Sequence, residues 1–192
     1  MSFFAYANDL VLPENRRIFL RKSGALLSGG AVALLAGAPS LARAADKHAE
    51  SDVRILNTAL GAELEAVAAY QVGAESGLLQ KPVLDLAVTF QGHHKEHAEV
   101  LRSTIAKLGG KPVEAKAKYT FPVETLKTQA DVLKFAASLE KGAVSAYLGA
   151  VPLFSNRDLS KAAASILGDE AMHWAILRNA VGEAPVPAAF VS

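Results

Sequence analysis

The chain has 192 residues, about one domain's worth, with 20 basic and 19 acidic residues and a formal net charge of +1. That balance leaves no electrostatic footprint for nucleic acid. There is no cysteine, which excludes disulfides, thiol catalysis and thiolate metal sites, a rubredoxin-type iron site among them.

At the N-terminus, Asn15-Arg16-Arg17-Ile18-Phe19-Leu20-Arg21-Lys22 is a twin-arginine pattern. A Gly- and Ala-rich apolar run from Gly24 to Ala38 follows, then Ala42-Arg43-Ala44, a small-x-small cleavage site. Residues 1–44 read as a Tat export signal cleaved after Ala44. It makes the Tat machinery a partner and directs the chain to the periplasm, or otherwise out of the cytoplasm. The apolar run is too short and glycine-rich for a good membrane span, so no stable span is expected after cleavage. Five basic and two acidic residues fall within 1–44, and the remainder carries a net −2, an ordinary solvated surface.

Residues 45–182 read as four helices. The first runs from about Glu50 to Ser76 and stops at Gly77. The second follows Lys81-Pro82, with proline at an early helical position, and stops at Gly109-Gly110-Lys-Pro112. A long connection containing Tyr119-Thr-Phe-Pro122 leads to a third helix from about Thr128 to Val151. The fourth is capped near Asn156-Arg-Asp158 and ends before Gly182. Pro185 and Pro187 mark residues 183–192 as an extended tail. Two short loops and one long connection describe two helical hairpins joined by a crossover, an all-α four-helix bundle.

The bundle carries an internal repeat. Glu63-Leu-Glu-Ala-Val-Ala-Ala-Tyr70 is matched by Glu140-Lys-Gly-Ala-Val-Ser-Ala-Tyr147, and a histidine, His97 or His173, follows each Glu at 34 or 33 residues. Apolar periodicity decides which polar residues face inward. The seams are Leu56, Leu60, Glu63, Val67, Tyr70; then Phe90, His94, His97, Leu101, Leu108; then Leu133, Ala136, Glu140, Val144, Tyr147; and last Leu159, Ala163, Ile166, Glu170, His173, Leu177, Ala180. Glu65, Glu96, Glu99 and Asp169 fall off the seams and are expected in solvent, and His93 at the surface or behind the core donors.

Three carboxylates in an apolar core need compensation by protons, internal salt bridges or metal. No Lys or Arg lies on the seams, so metal is the simplest partner, with Glu63, His94, His97, Glu140, Glu170 and His173 as candidate ligands. The plainer reading pairs these Glu and His residues with one another in a metal-free module with a structural or stress-protective role. Tyr70 and Tyr147 read as core aromatics whose hydroxyls find partners, and Trp174 as a packing or interface residue. An exposed helix face leaves room for a homodimer.

Leu56-Asn57-Thr-Ala-Leu60-Gly61-Ala-Glu63-Leu resembles the first-helix segment of bacterioferritin- and rubrerythrin-type proteins, and the chain resembles the ferritin-like superfamily over nearly all of residues 45–182. In that superfamily one Glu from each of two helices and a Glu-x-x-His pair from each of the others hold two irons. The resemblance implies terminal carboxylates at Glu63 and Glu140, and a Glu170-Ala-Met-His173 pair with Glu170 bridging. His97 takes the other histidine position, while His94 stands where the second bridging Glu belongs. Three carboxylates give −3 with neutral histidines, so two divalent ions would leave +1. The resemblance thus implies iron, as a di-iron or single-ion site. The extra nitrogen ligand opens the site to Mn, Zn or Cu. It also implies oxidation chemistry with oxygen or peroxide. His93-His94-Lys-Glu-His97, the Leu108-Gly-Gly-Lys-Pro112 turn and Tyr119-Thr-Phe-Pro122 resemble, in addition, exported ferritin-like proteins with no established metal chemistry.

Overall fold

The structure, a computed structural model, describes residues 39–191, with side chains from residue 47 onward. The export signal expected over residues 1–44 therefore falls mostly outside the described residues. The described residues form four long helices, α1 (Pro39–Glu75), α2 (Lys81–Lys107), α3 (Gln129–Ala150) and α4 (Arg157–Ala180), with single 3-10 turns at Val123–Thr125 and Val151–Leu153. No strand occurs among the described residues, and no helix there is long and apolar enough to cross a membrane. Ala49–Ser192 forms one compact unit.

Local chemistry sets the helix ends. Pro82 enters the first turn of α2, where its missing N–H costs nothing. Thr128 and Asp131 form a reciprocal capping box at α3, and Asn156 accepts from the Asp158 amide at α4. α2 and α4 finish alike. Gly109 and Gly182 take φ of +76° and +80°, and the next amide returns to an orphan carbonyl: Gly110 N–H to Ile105, Glu183 N–H to Arg178. α1 differs from expectation at its start. It is already helical at Pro39, upstream of Glu50, and the Ala-rich stretch between them contains no breaker.

Two apolar layers sandwich a polar one. The lower layer includes Leu56 and Leu60 of α1, Leu101 and Ile105 of α2, Tyr147 of α3, and Leu159 and Ile166 of α4. The upper layer contains Tyr70, Phe90, Leu133 and Leu177, one from each helix. Burying a side chain the size of Leu60 or Ile105, both at 0% exposure, stabilises by about 1.5–3 kcal/mol relative to solvent. Reading the layers along the chain gives the topology. α1 and α4 climb from the lower to the upper layer, while α2 and α3 descend. Two consecutive helices with the same direction require a connection that runs the length of the bundle. α3 spans about 33 Å at 1.5 Å per residue, and residues 108–128 reach roughly twice that when extended. The crossover is tied at its start by Asn57, which donates to the Lys111 carbonyl and accepts from the Val113 amide. Gly110 has no room for a side chain, since a Cβ would stand 2.6 Å from Val53 Cγ1.

Two seam details depart from expectation. Ala180 is exposed, and Val181 packs on the upper layer instead, because the helical period breaks at the C-cap. Asp52 is buried one turn before Leu56, where it accepts the Ser155 and Asn156 amides at 2.8 and 3.0 Å. It ties the α3–α4 loop to α1.

Candidate metal centre

Between the apolar layers, all six candidate residues converge. Glu63, His94, Glu140, Glu170 and His173 are at most 3% exposed, and His97 sits at the edge with 14% of its side chain accessible. They form two overlapping sets of four donors, each set within 4.8 Å: Glu63, His94, His97, Glu170, and His94, Glu140, Glu170, His173. Glu170 serves both. Its Oε1 lies 3.1 Å from His97 Nδ1 and its Oε2 3.4 Å from His173 Nδ1.

His94 also belongs to both sets, through different nitrogens. Its Nδ1 stands 2.8 Å from Glu63 Oε2 and its Nε2 3.2 Å from Glu140 Oε1. Donating to both carboxylates at once requires an imidazolium, since a neutral ring has one N–H. Burial opposes that charge, but the Glu140 and Glu63 carboxylates overcome it and hold His94 at about 10. Burial likewise works against His97 and His173, and their carboxylate neighbours raise them to about 11 and about 9. On the acidic side, burial pushes Glu63 and Glu140 up, and the histidines outweigh it, leaving both below the usual carboxylate value. Glu170 goes the other way: burial dominates and raises it.

The tyrosines pair across the hairpins. Tyr147 donates to Glu63 Oε1 at 2.5 Å, and Tyr70 donates to Glu140 Oε1. Burial and the adjacent carboxylate push both phenols well above their ordinary value, so they stay neutral donors. Each tyrosine thus orients the carboxylate contributed by the other half of the repeat.

Asp169 corrects the expectation that placed it in solvent. Its side chain is 15% exposed, and its Oδ2 lies 3.4 Å from His97 Nε2, 3.4 Å from His173 Nε2 and 3.1 Å from His93 Nδ1. Burial raises its pKa, yet His97 and the other imidazoles outweigh this and bring it to about 2. One carboxylate thus faces the outer nitrogens of two histidines whose inner Nδ1 atoms face the centre, an arrangement that sets the tautomer of metal-binding imidazoles. The signal was present in the sequence, since Asp169 precedes His173 by one helical turn. His93 lies behind the core donors, half-exposed, with Nδ1 2.9 Å from His173 Nε2.

Donor chemistry tests whether metal suits this centre. Five buried atoms have no hydrogen-bond partner: His97 Nδ1, Glu140 Oε2, both Glu170 oxygens and His173 Nδ1. His97 Nδ1 and Glu170 Oε1 are close enough to bond at 3.1 Å but are not aligned for it. The five atoms belong to residues of the two overlapping donor sets. Orphan donors of this kind are rare in folded cores, and all five belong to the candidate ligands, so the residues fit a bound ion.

Solved structures share the fold, among them the following two. A conserved hypothetical protein of Mycobacterium tuberculosis aligns with a TM-score of 0.65 and 22% identity, covering 74% of this chain and 99% of that one. A structure of ferritin-like, diiron-carboxylate proteins from Bacillus anthracis aligns with a TM-score of 0.61 and 18% identity, over 70% of this chain and 97% of that one. At these identities the likeness is one of fold. No curated protein matches the chain. The sequence model of the ferritin-like domain matches residues 51–183, most of α1 and all of α2, α3 and α4, and the chain belongs to the ferritin-like domain family.

Proposed function

We propose that this is an exported metal-binding protein that holds one or two transition-metal ions, iron foremost, between its four helices. The observation that carries the reading is the set of five orphaned donor atoms converging from Glu140, Glu170, His97 and His173. Two overlapping sets, Glu63, His94, His97 and Glu170, and His94, Glu140, Glu170 and His173, would hold the metal. Iron, when bound, would supply electrons for reduction of oxygen or peroxide. The chain's own residues do the rest: Tyr70 and Tyr147 aim the carboxylates, Asp169 orients both imidazoles, and the apolar layers keep bulk water out. The description of the Bacillus anthracis structure as diiron-carboxylate supports iron, while the imidazole of His94 widens the choice to Zn or Cu and the three carboxylates admit Mn. Export rests on the Arg16-Arg17 pattern and the Ala42-Arg43-Ala44 site.

Metal analysis of the protein recovered from the cell envelope tests the proposal, with Glu170→Ala/His173→Ala as the comparison. One or two ions per chain are expected in the wild type and almost none in the variant. Well under one ion per chain, after anaerobic Fe(II) and separate Mn, Zn and Cu reconstitution, would sink it.

A second reading has its own observation. His94 joins Glu63 and Glu140 as an internal cation, which compensates part of the buried charge without metal. A metal-free structural or stress-protective module would follow, with a melting temperature indifferent to EDTA.

A further inference from the structure

Donors sealed this well raise the question of how an ion reaches them. Apolar layers close both ends of the polar layer. Exposure rises instead along one side, between α2 and α4: His173 at 1%, His97 and Asp169 at 14% and 15% of their side chains, His93 at 41%. His93 Nδ1, His173 Nε2 and Asp169 Oδ2 form a triangle with edges of 2.9, 3.1 and 3.4 Å. Neighbouring donors on one ion with bonds of roughly 2.0–2.2 Å stand about 2.9–3.5 Å apart, so the triangle has the size of one face of a coordination shell. Two imidazoles and one carboxylate on a face, with the remaining positions open, suit a divalent first-row ion. The two imidazole nitrogens are within hydrogen-bond distance of each other at 2.9 Å, and an ion on this face would replace that contact.

We propose that His93, Asp169 and His173 form an outer loading site for a divalent transition-metal ion, which then passes inward to the core donors through His173. The proposal rests on the metal-binding reading of the core. His173 faces outward with Nε2 and inward with Nδ1, where Glu140 and Glu170 lie 3.5 and 3.4 Å away. A neutral imidazole carries one lone pair and one N–H, so His173 serves the outer ion or the inner ion, not both. Inward transfer of the ion would require Nδ1 to give up its proton and Nε2 to regain one, facing Asp169 Oδ2 at 3.4 Å. Outer occupancy is therefore transient, and His93 acts on the rate of filling.

Uptake of Co(II) by the metal-free, full-length protein, followed by ligand-field absorption with the ion limiting, tests this. His93→Ala and His93→Phe remove the outer nitrogen, and Phe keeps a ring against Phe90 and His173. Both are expected to reach wild-type final occupancy at least about tenfold more slowly, and His93→Asp, which returns a donor, to recover much of the rate. Wild-type rates in both, or a rate restored by Phe, would overturn the loading site and leave the core reading standing. Reduced final occupancy in His93→Ala would overturn it as well, by making His93 a core determinant. A wild-type protein that takes up no Co(II) overturns the loading site, and the core reading falls with it where Fe(II), Mn, Zn and Cu are refused as well.

Discussion

Glu170 offers the sharpest test, because metal should reverse the sign of its effect on stability. The side chain is at 0% exposure, and neither oxygen has a hydrogen-bond partner. An unsatisfied buried polar group costs about 1–3 kcal/mol, more when charged. Histidine nitrogens at 3.1, 3.4 and 3.6 Å offset part of this by attraction, yet burial still dominates and raises the carboxyl's pKa. Without metal, Glu170 is thus a burden on the fold. Glu170→Met keeps most of the volume and removes both oxygens, while Glu63, Glu140 and Asp169 stay beside His97 and His173, so the metal-free variant should be more stable than wild type by about 1–2 kcal/mol. That corresponds to a rise of roughly 2–8 °C in melting temperature for a domain of this size. With metal the order inverts. An ion that binds the folded wild type alone adds about 2.7 kcal/mol at a free concentration one hundred times its Kd, and adds little to the variant. Thermal and urea unfolding of both proteins, in EDTA and under anaerobic excess Fe(II), measures all four states. A metal-free variant weaker than wild type by a few kcal/mol would refute the reasoning, because Glu170 would then be a needed partner of the histidines.

Three further outcomes follow from the same geometry. Tyr147→Phe deletes a buried O–H donated to the Glu63 carboxylate and should cost about 1.5–3 kcal/mol in urea unfolding of the metal-free protein; a loss within about 0.5 kcal/mol would contradict the pairing. Asp169→Asn exchanges the acceptor that faces His97 and His173, and chelator competition should report metal affinity weaker by about 10–100-fold; unchanged affinity would dismiss its orienting role. In EDTA, stability should depend on pH from both sides. His94, His97 and His173 are raised to about 10, 11 and 9, so their contribution is complete below the unfolded value of 6.5 and fades as pH climbs through the folded values. Glu63, Glu140 and Asp169 are lowered, so theirs is complete above their ordinary values of 4.5 and 3.8 and is lost as pH falls below them. Unfolding free energy should peak between about pH 5 and 6.5, and a flat profile from pH 4 to 10 would discount the charged network.

The helices were legible because their signals are local. Pro82, Thr128, Asn156, Gly109 and Gly182 each act within one turn, and the apolar period names the inward face without knowledge of the partner helix. The same period put Glu63, His94, His97, Glu140, Glu170 and His173 on core seams. It failed for Asp169, whose surroundings depend on how closely α2 approaches α4, and it passed over Asp52, which continues the α1 seam as an anchor for a loop about 100 residues away.

The amino-acid sequence alone determined that two similar hairpins bring carboxylates, imidazoles and tyrosines to one layer of a helical bundle. Only the tertiary structure decided how those groups pair. Glu63 and Tyr70 lie seven residues apart on one helix, about 10 Å along its axis, and cannot reach each other. Each tyrosine instead crosses to the carboxylate of the other hairpin, and His94 spans both halves through its two nitrogens. Helical periodicity fixes a direction around one axis, whereas hydrogen bonds and ligand sets depend on distances between axes.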